Sequence, residues 1–269
     1  MNKFRYKSVI LSGLNVFLIL STFTLHANNR MTIADSLFSL RNTNFDTKNL
    51  IARTIYVDKA ISIYNEILTS SAAPGLKAEA LWKLEQSYYF KGEFGSSDED
   101  TKEAIFKKGL NIGEKYINTL PATAQANMWL GILWAKWAEL SGIIPAAKDG
   151  AADKVKAYAE KTIALDKYYL GAGGYRLLGT VHISVPYVPF ILTWPSNKEG
   201  LLNLEKAYKI DPDNLYNKMY LAMALHKEHE DERAKKLLLE IINTKEIIHD
   251  LAIDLYIKRQ AREYLADEF

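Results

Sequence analysis

Apolar residues recur at helical spacing through most of the chain. Ile51, Ile55, Ala60, Ile63, Tyr64 and Ile67 fall three and four apart, which predicts an amphipathic helix over 50–68. Ser70 to Gly75 supplies turn chemistry, and Leu81, Leu84 and Tyr88 mark a second helix over 77–90 that Gly92 stops. A third runs from a cap near Asp98 to about Leu120, before Pro121. Helices are expected over 123–140, 151–166, 175–183, 198–210, 215–227 and 232–242, with a closing helix over 247–265 and a short one over 32–40. Period-two alternation is not sustained anywhere, and prolines break the β-branched run 181–193. The pattern is all-α.

The helices repeat one another. Leu84-Glu85 recurs as Leu130-Gly131, Leu178-Gly179 and Leu221-Ala222, with Tyr88, Trp134, His182 and Leu225 four residues after each Leu. This matches the first helix of the tetratricopeptide repeat, W-x₂-L-G-x₂-Y, whose small residue lets adjacent helices approach closely. The second-helix pattern is met by Gly200, Leu204, Ala207 and Pro212, and again by Ala234 and Leu238. The expected fold is therefore a tetratricopeptide-like helical-hairpin solenoid of about four pairs plus a capping helix, over residues 49–269, with 28–48 as a lead-in. The small positions 85, 131, 179 and 222 are spaced more widely than the roughly 34 residues of the standard repeat. The excess falls between the helices of each pair, at 92–100, 141–150 and 184–195, so the insertions share one edge of the solenoid, a usual place for binding.

Composition narrows the function. The chain has 269 residues and no cysteine, which removes disulfides, thiol nucleophiles, Cys-ligated metals and a lipid-attachment cysteine. Lys3, Arg5 and Lys7 precede an apolar run, Val9 to Leu25, and Leu25-His26-Ala27 resembles a cleavage site, so 1–27 reads as a signal peptide. A periplasmic location follows, with membrane attachment only through that segment if it stays uncleaved. Without those three cations the tally is 31 basic to 32 acidic residues, and no basic stripe marks a nucleic-acid partner.

The glycine-rich stretch Gly171 to Gly179, the proline-bearing loop after it and the helix ending in Asp211-Pro212 resemble the T-component of TRAP-type solute transporters. A more distant similarity is to the regulator-of-microtubule-dynamics proteins, which share the same type of solenoid. The first resemblance covers roughly residues 50–245. It implies a non-enzymatic periplasmic protein that engages a solute-binding subunit and a small apolar or organic-acid ligand, in an oligomer with a central pore. The alternative is a general cell-envelope scaffold that holds proteins through its concave face, and an envelope enzyme ranks last.

The loop Val185 to Pro195 is the foremost candidate site. Its apolar residues between prolines pack on a neighbour, a ligand or a partner, or else fold back as core; both readings stand. The candidate ligand or partner contacts are Tyr187, Pro189, Phe190 and Trp194, joined by Trp137 and Tyr175. Trp134 takes the tyrosine position of the repeat and is expected in the core. Gly173, Gly174 and Arg176 have no strand before them and fit no phosphate-binding pattern, so close helix packing accounts for them. His226 and His229 lack a third ligand and the HExxH pattern, and His182 reads as a hydrogen-bonded packing histidine. No catalytic residue, metal or cofactor is expected.

Overall fold

The computed structural model describes residues 27–186 and 192–269. Residues 27–39 form α1. It is followed by α2 (Ile55–Thr69), α3 (Pro74–Phe94), α4 (Glu99–Tyr116), α5 (Ala124–Ser141) and the short α6 (Ile143–Lys148). Then come α7 (Ala151–Leu165), α8 (Tyr169–Ser184), α9 (Asn197–Ile210), α10 (Leu215–Lys227), α11 (Asp231–Asn243) and α12 (Leu251–Glu268). No β-strand forms among the described residues; an isolated antiparallel bridge joins Asp46 to Ile51.

Local chemistry places the helix ends. Asp98, Thr123, Ser196, Asn214 and Asp250 each accept a backbone N–H from the first turn of the helix they precede. Each such cap contributes about 1 kcal/mol. Pro74, expected in a turn, instead opens α3, where its missing N–H costs nothing. α3 also runs through Gly92, whose missing side chain leaves room for the Phe106 ring of α4. The expected 92–100 insertion therefore shrinks to the short link between Phe94 and Glu99. The 141–150 insertion is not plain loop either, since it folds into α6.

Packing follows the repeat. α3, α5, α8, α10 and α12 touch in succession and form an inner row, while α4, α7, α9 and α11 pack outside against their flanking inner helices. α1 extends the inner row at the start: Asp35 accepts from Tyr64 and Lys83, and Phe38 meets Phe90 edge to face. At the third small position the helices nearly touch, because a Cβ on Gly179 would strike Leu204 and the Gly200 carbonyl. The first small position instead holds Glu85, fully buried, with neither carboxyl oxygen hydrogen-bonded.

Two hydrophobic clusters run along the solenoid. The first spans α1 to α8 and the second α8 to α12. α12 belongs to both: Ile257 and Ala261 pack in the second cluster, and Ala252 packs in the first. The superhelix has turned far enough for its last helix to meet its first ones. Arg41, just past α1, pairs with Asp250 at 2.7 Å, Phe94 meets Tyr256 edge to face, and Arg259 donates to the Lys48 carbonyl. No helix among the described residues is long and apolar enough to cross a membrane.

Candidate functional site

Of the residues picked from the 185–195 loop and nearby, the described ones, Trp194, Trp137 and Tyr175, do not converge. Tyr187, Pro189 and Phe190 lie outside the described residues. Trp194 is half-buried against α7 and α8: its indole N–H donates to Asp153 at 2.7 Å, and its ring meets His182 edge to face at 5.0 Å. Beside it lies an open recess of about 400 Å³, lined by His182, Val185, Pro186, Pro195, Ser196 and Lys227 among others. His182, expected as a hydrogen-bonded packing histidine, is buried, but its Nδ1 has no partner. Burial lowers its pKa below the ordinary histidine value.

Trp137 is core. It donates to Glu103 of α4 at 3.1 Å, meets Trp134 edge to face, and carries the Lys107 ammonium 3.8 Å above its ring. Trp134 is also buried, as its repeat position requires, and donates to Glu114. Tyr175 stands half-buried on the α9 side of α8, with Lys206 over its ring. The Trp137 and Tyr175 positions are separate from each other and from Trp194. His226 binds Asp231 at 2.9 Å and packs on Phe269, which ties the end of the chain to α10 and α11.

The structure assembles a different set of residues, on the concave side of the inner row. Tyr89 of α3 packs on Trp129 of α5 at 5.5 Å and shares a 3.0 Å hydroxyl hydrogen bond with Tyr216 of α10. That bond spans 127 residues of chain and crosses the groove. Tyr216 stacks parallel to Tyr220 one turn on, and Trp129 donates to the Tyr169 hydroxyl. Beside them Lys136 pairs with Glu93 at 3.0 Å. Burial opposes the Lys136 charge, but Glu93, Tyr256 and Glu139 outweigh it and hold the ammonium above the ordinary lysine range. Burial likewise pushes up the Tyr89, Tyr216 and Tyr220 hydroxyls, so all three stay neutral donors at physiological pH.

Arg176 anchors the groove floor. It is buried, with no carboxylate within ion-pair distance among the described residues, and it sits over the Tyr216 ring. Its guanidinium donates to the Asn217 side-chain oxygen at 2.6 Å and to the Leu170 and Gly171 carbonyls. Those carbonyls are aimed inward by a left-handed run at the start of α8, Leu170, Gly171 and Ala172, with φ of 53°, 61° and 61°. Asn217 secures that turn, donating to the carbonyls of Gly171, Ala207 and Asp211 at 2.9–3.0 Å. The glycine-rich stretch is thus a packing device: Gly174 lies against Ala159 and Ile163, and Gly173 against Met128.

The inner-row residues match no motif, yet the repeat register carries a signal for them. Once Leu84, Leu130, Leu178 and Leu221 mark the buried side of four first helices, Tyr89, Lys136, Arg176 and Tyr216 fall on the other side. The closing strap has no such signal, because nothing local says that 244–256 returns to the N-terminal pairs.

An inner row of first helices, an outer row of second helices and small residues at the contacts define a tetratricopeptide-type helical solenoid. Its family is given by sequence: the model for regulator of microtubule dynamics protein 1-3 matches residues 51–267, and the chain belongs to that family. Among solved structures the chain is similar to TTC0263, a thermophilic tetratricopeptide protein of Thermus thermophilus. That match has a TM-score of 0.58 and 13% identity, over 89% of this chain and 99% of that one. It is also matched to MamA, at TM-score 0.46 and 17% identity, over 78% and 91% of the two chains. No curated protein matches the sequence.

The family match corrects the TRAP T-component resemblance, to which nothing in these comparisons points. The features that suggested it, Gly171 to Gly179 and Asp211-Pro212, serve helix packing and the Asn217 anchor. The solute-binding subunit, the organic-acid ligand and the pore-forming oligomer rested on that resemblance and lose their support with it.

Proposed function

We propose that this protein is an interaction scaffold that binds a protein partner on the concave face of its solenoid. The observation that carries this is the groove itself. Three half-buried tyrosines, Tyr169, Tyr216 and Tyr220, converge there with Lys136 over a buried floor of Tyr89, Trp129, Arg176 and Glu93. Rings that combine a large apolar area with a polar tip, set beside a few charges, are the composition of protein-binding hot spots. The fold itself is a stack of hairpins whose inner row builds an extended binding surface.

Site-directed photo-crosslinking tests it. A photoreactive residue at Tyr220 should capture a discrete partner from cell extract, while one at Leu239, exposed on the outer helix α11, should not. Capture at 239 and not at 220 would overturn the concave-face assignment.

We also propose that the chain is exported, on the strength of the cationic start and the apolar run Val9 to Leu25. Fractionation of the expressing cell tests this. The mature chain should leave with the extracytoplasmic fraction, and recovery with the cytosol would refute it.

A further inference from the structure

The groove is occupied in this structure, and the occupant belongs to the chain. Residues 244–250 leave α11 as a strap, Asp250 caps α12, and the first half of α12 lies against the N-terminal pairs. Four contacts hold it there: Asp250 accepts from Arg41, Ala252 is buried in the first core cluster, Tyr256 meets Phe94, and Arg259 donates to the Lys48 carbonyl. On the other side His249 packs on Tyr216 of α10. Asp254, fully buried, holds the strap to the helix by accepting the backbone N–H groups of Ile248 and His249.

This grip is divided in a particular way. The face of α12 carrying Ile257 and Ala261 packs in the second cluster with α10 and α11, as the next inner helix of a solenoid should. The face carrying Ala252, Tyr256 and Arg259, with Asp250 at the helix N-terminus, makes the contacts to α3 and the loop after α1. The ion pair, the aromatic edge and the Arg259 hydrogen bond are all addressed to sites more than 150 residues away in sequence, and the small Ala252 is buried beside them in the first cluster. The fit is imperfect in the middle, where the buried His249 Nε2 finds no partner and Ile247 stays half-exposed.

We propose that the concave groove is a helix-binding groove and that α12 is its built-in occupant. An incoming amphipathic helix takes the place of the first half of α12. The site dictates its chemistry: an acidic residue to meet Arg41, a small residue two positions on, and a tyrosine or similar ring six positions on to reach Phe94. In the closed state the chain weakens every such partner by the fraction of time the groove is shut. The proposal rests on the scaffold reading above and supplies the partner class that reading lacks.

The test uses the full chain and a labelled peptide of residues 246–269 added in trans. Asp250→Asn in the chain keeps a capping side chain on α12 but removes the charge that Arg41 holds, so only the resident helix is weakened. Fluorescence anisotropy should show the peptide binding Asp250→Asn about tenfold more tightly than the unaltered chain. A peptide that itself carries Asp250→Asn should lose that gain. Arg259→Ala, which removes a second, exposed contact, should act in the same direction and serves if Asp250→Asn fails to fold. Equal peptide affinity for the unaltered chain and both folded variants would overturn the proposal. That outcome would leave the scaffold reading standing if crosslinks still form at position 220. Stronger peptide binding with partner capture at 239 alone would sink the scaffold reading and keep the groove's choice of helix.

Discussion

Glu85 offers a sharp test of how the helices pack. It occupies the first small position of the repeat, is fully buried, and has no hydrogen-bond partner for either carboxyl oxygen. Desolvation raises its pKa well above the ordinary 4.5, and the nearby charge of Glu114 raises it further. The folded protein therefore keeps the proton where the unfolded chain releases it. Below about pH 4.5 both states are protonated and the side chain is least costly. As pH rises towards the folded-state value, stability falls by about 1.4 kcal/mol per pH unit. Glu85→Gln fills the same space without a titrating proton. Its stability advantage over the unaltered chain should be small near pH 4.5 and grow by that amount with each unit above it. For a chain of this size that is roughly 3–6 °C in melting temperature per pH unit. Paired thermal melts followed by circular dichroism from pH 4.5 to 7.5 measure it directly. A gap that stays flat, or favours the unaltered chain as pH rises, would mean that Glu85 is ionised and paired inside the fold.

Other substitutions probe the α8 turn and the loop. Gly171→Ala should destabilise by at least about 2 kcal/mol in urea unfolding, since alanine is strained at φ 61° and its Cβ would collide with Asp211 and Asn214; a loss under about 0.5 kcal/mol, within the range of ordinary surface changes, would refute the packing argument. Asn217→Ala strips three carbonyls and the Arg176 guanidinium of a partner and should cost about 3 kcal/mol or more, with a neutral result counting against the anchor. Trp194→Ala should hydrate His182, whose pKa is lowered chiefly by burial, and an NMR titration should find it shifted up towards the ordinary value. An unmoved titration would show that Trp194 does not shield that ring.

Much of the fold is legible because the repeat writes its own register. Expected helices at 215–227 and 151–166 match α10 and α7 to within a residue, and Leu130-Gly131 and Leu178-Gly179 do mark close helix contacts. The errors have local causes. Pro74 and Gly92 read as breakers, but one sits where a helix tolerates it and the other is filled by Phe106. The right-handed part of α8 begins only after Ala172, near the expected start at 175, because Leu170, Gly171 and Ala172 wind left-handed, a geometry held by the buried Arg176–Asn217 pair. The candidate site is less legible. Apolar content draws attention to Trp137, which is core, while the groove residues Tyr89 and Tyr216 meet only through superhelical closure. Such closure sums small rotations over every pair and leaves no mark in any one stretch.

The solenoid closes on itself and holds α12 in its concave groove. A chain without cysteine allows spin labels to be placed at will, and Lys48 and Arg262 are exposed positions on the two sides of the closure. Pulsed electron–electron distance measurement between them should give one short, narrow population in the unaltered chain. Asp250→Asn should shift part of that population to longer distances. A broad, long distribution in the unaltered chain, untouched by Asp250→Asn, would contradict the claim.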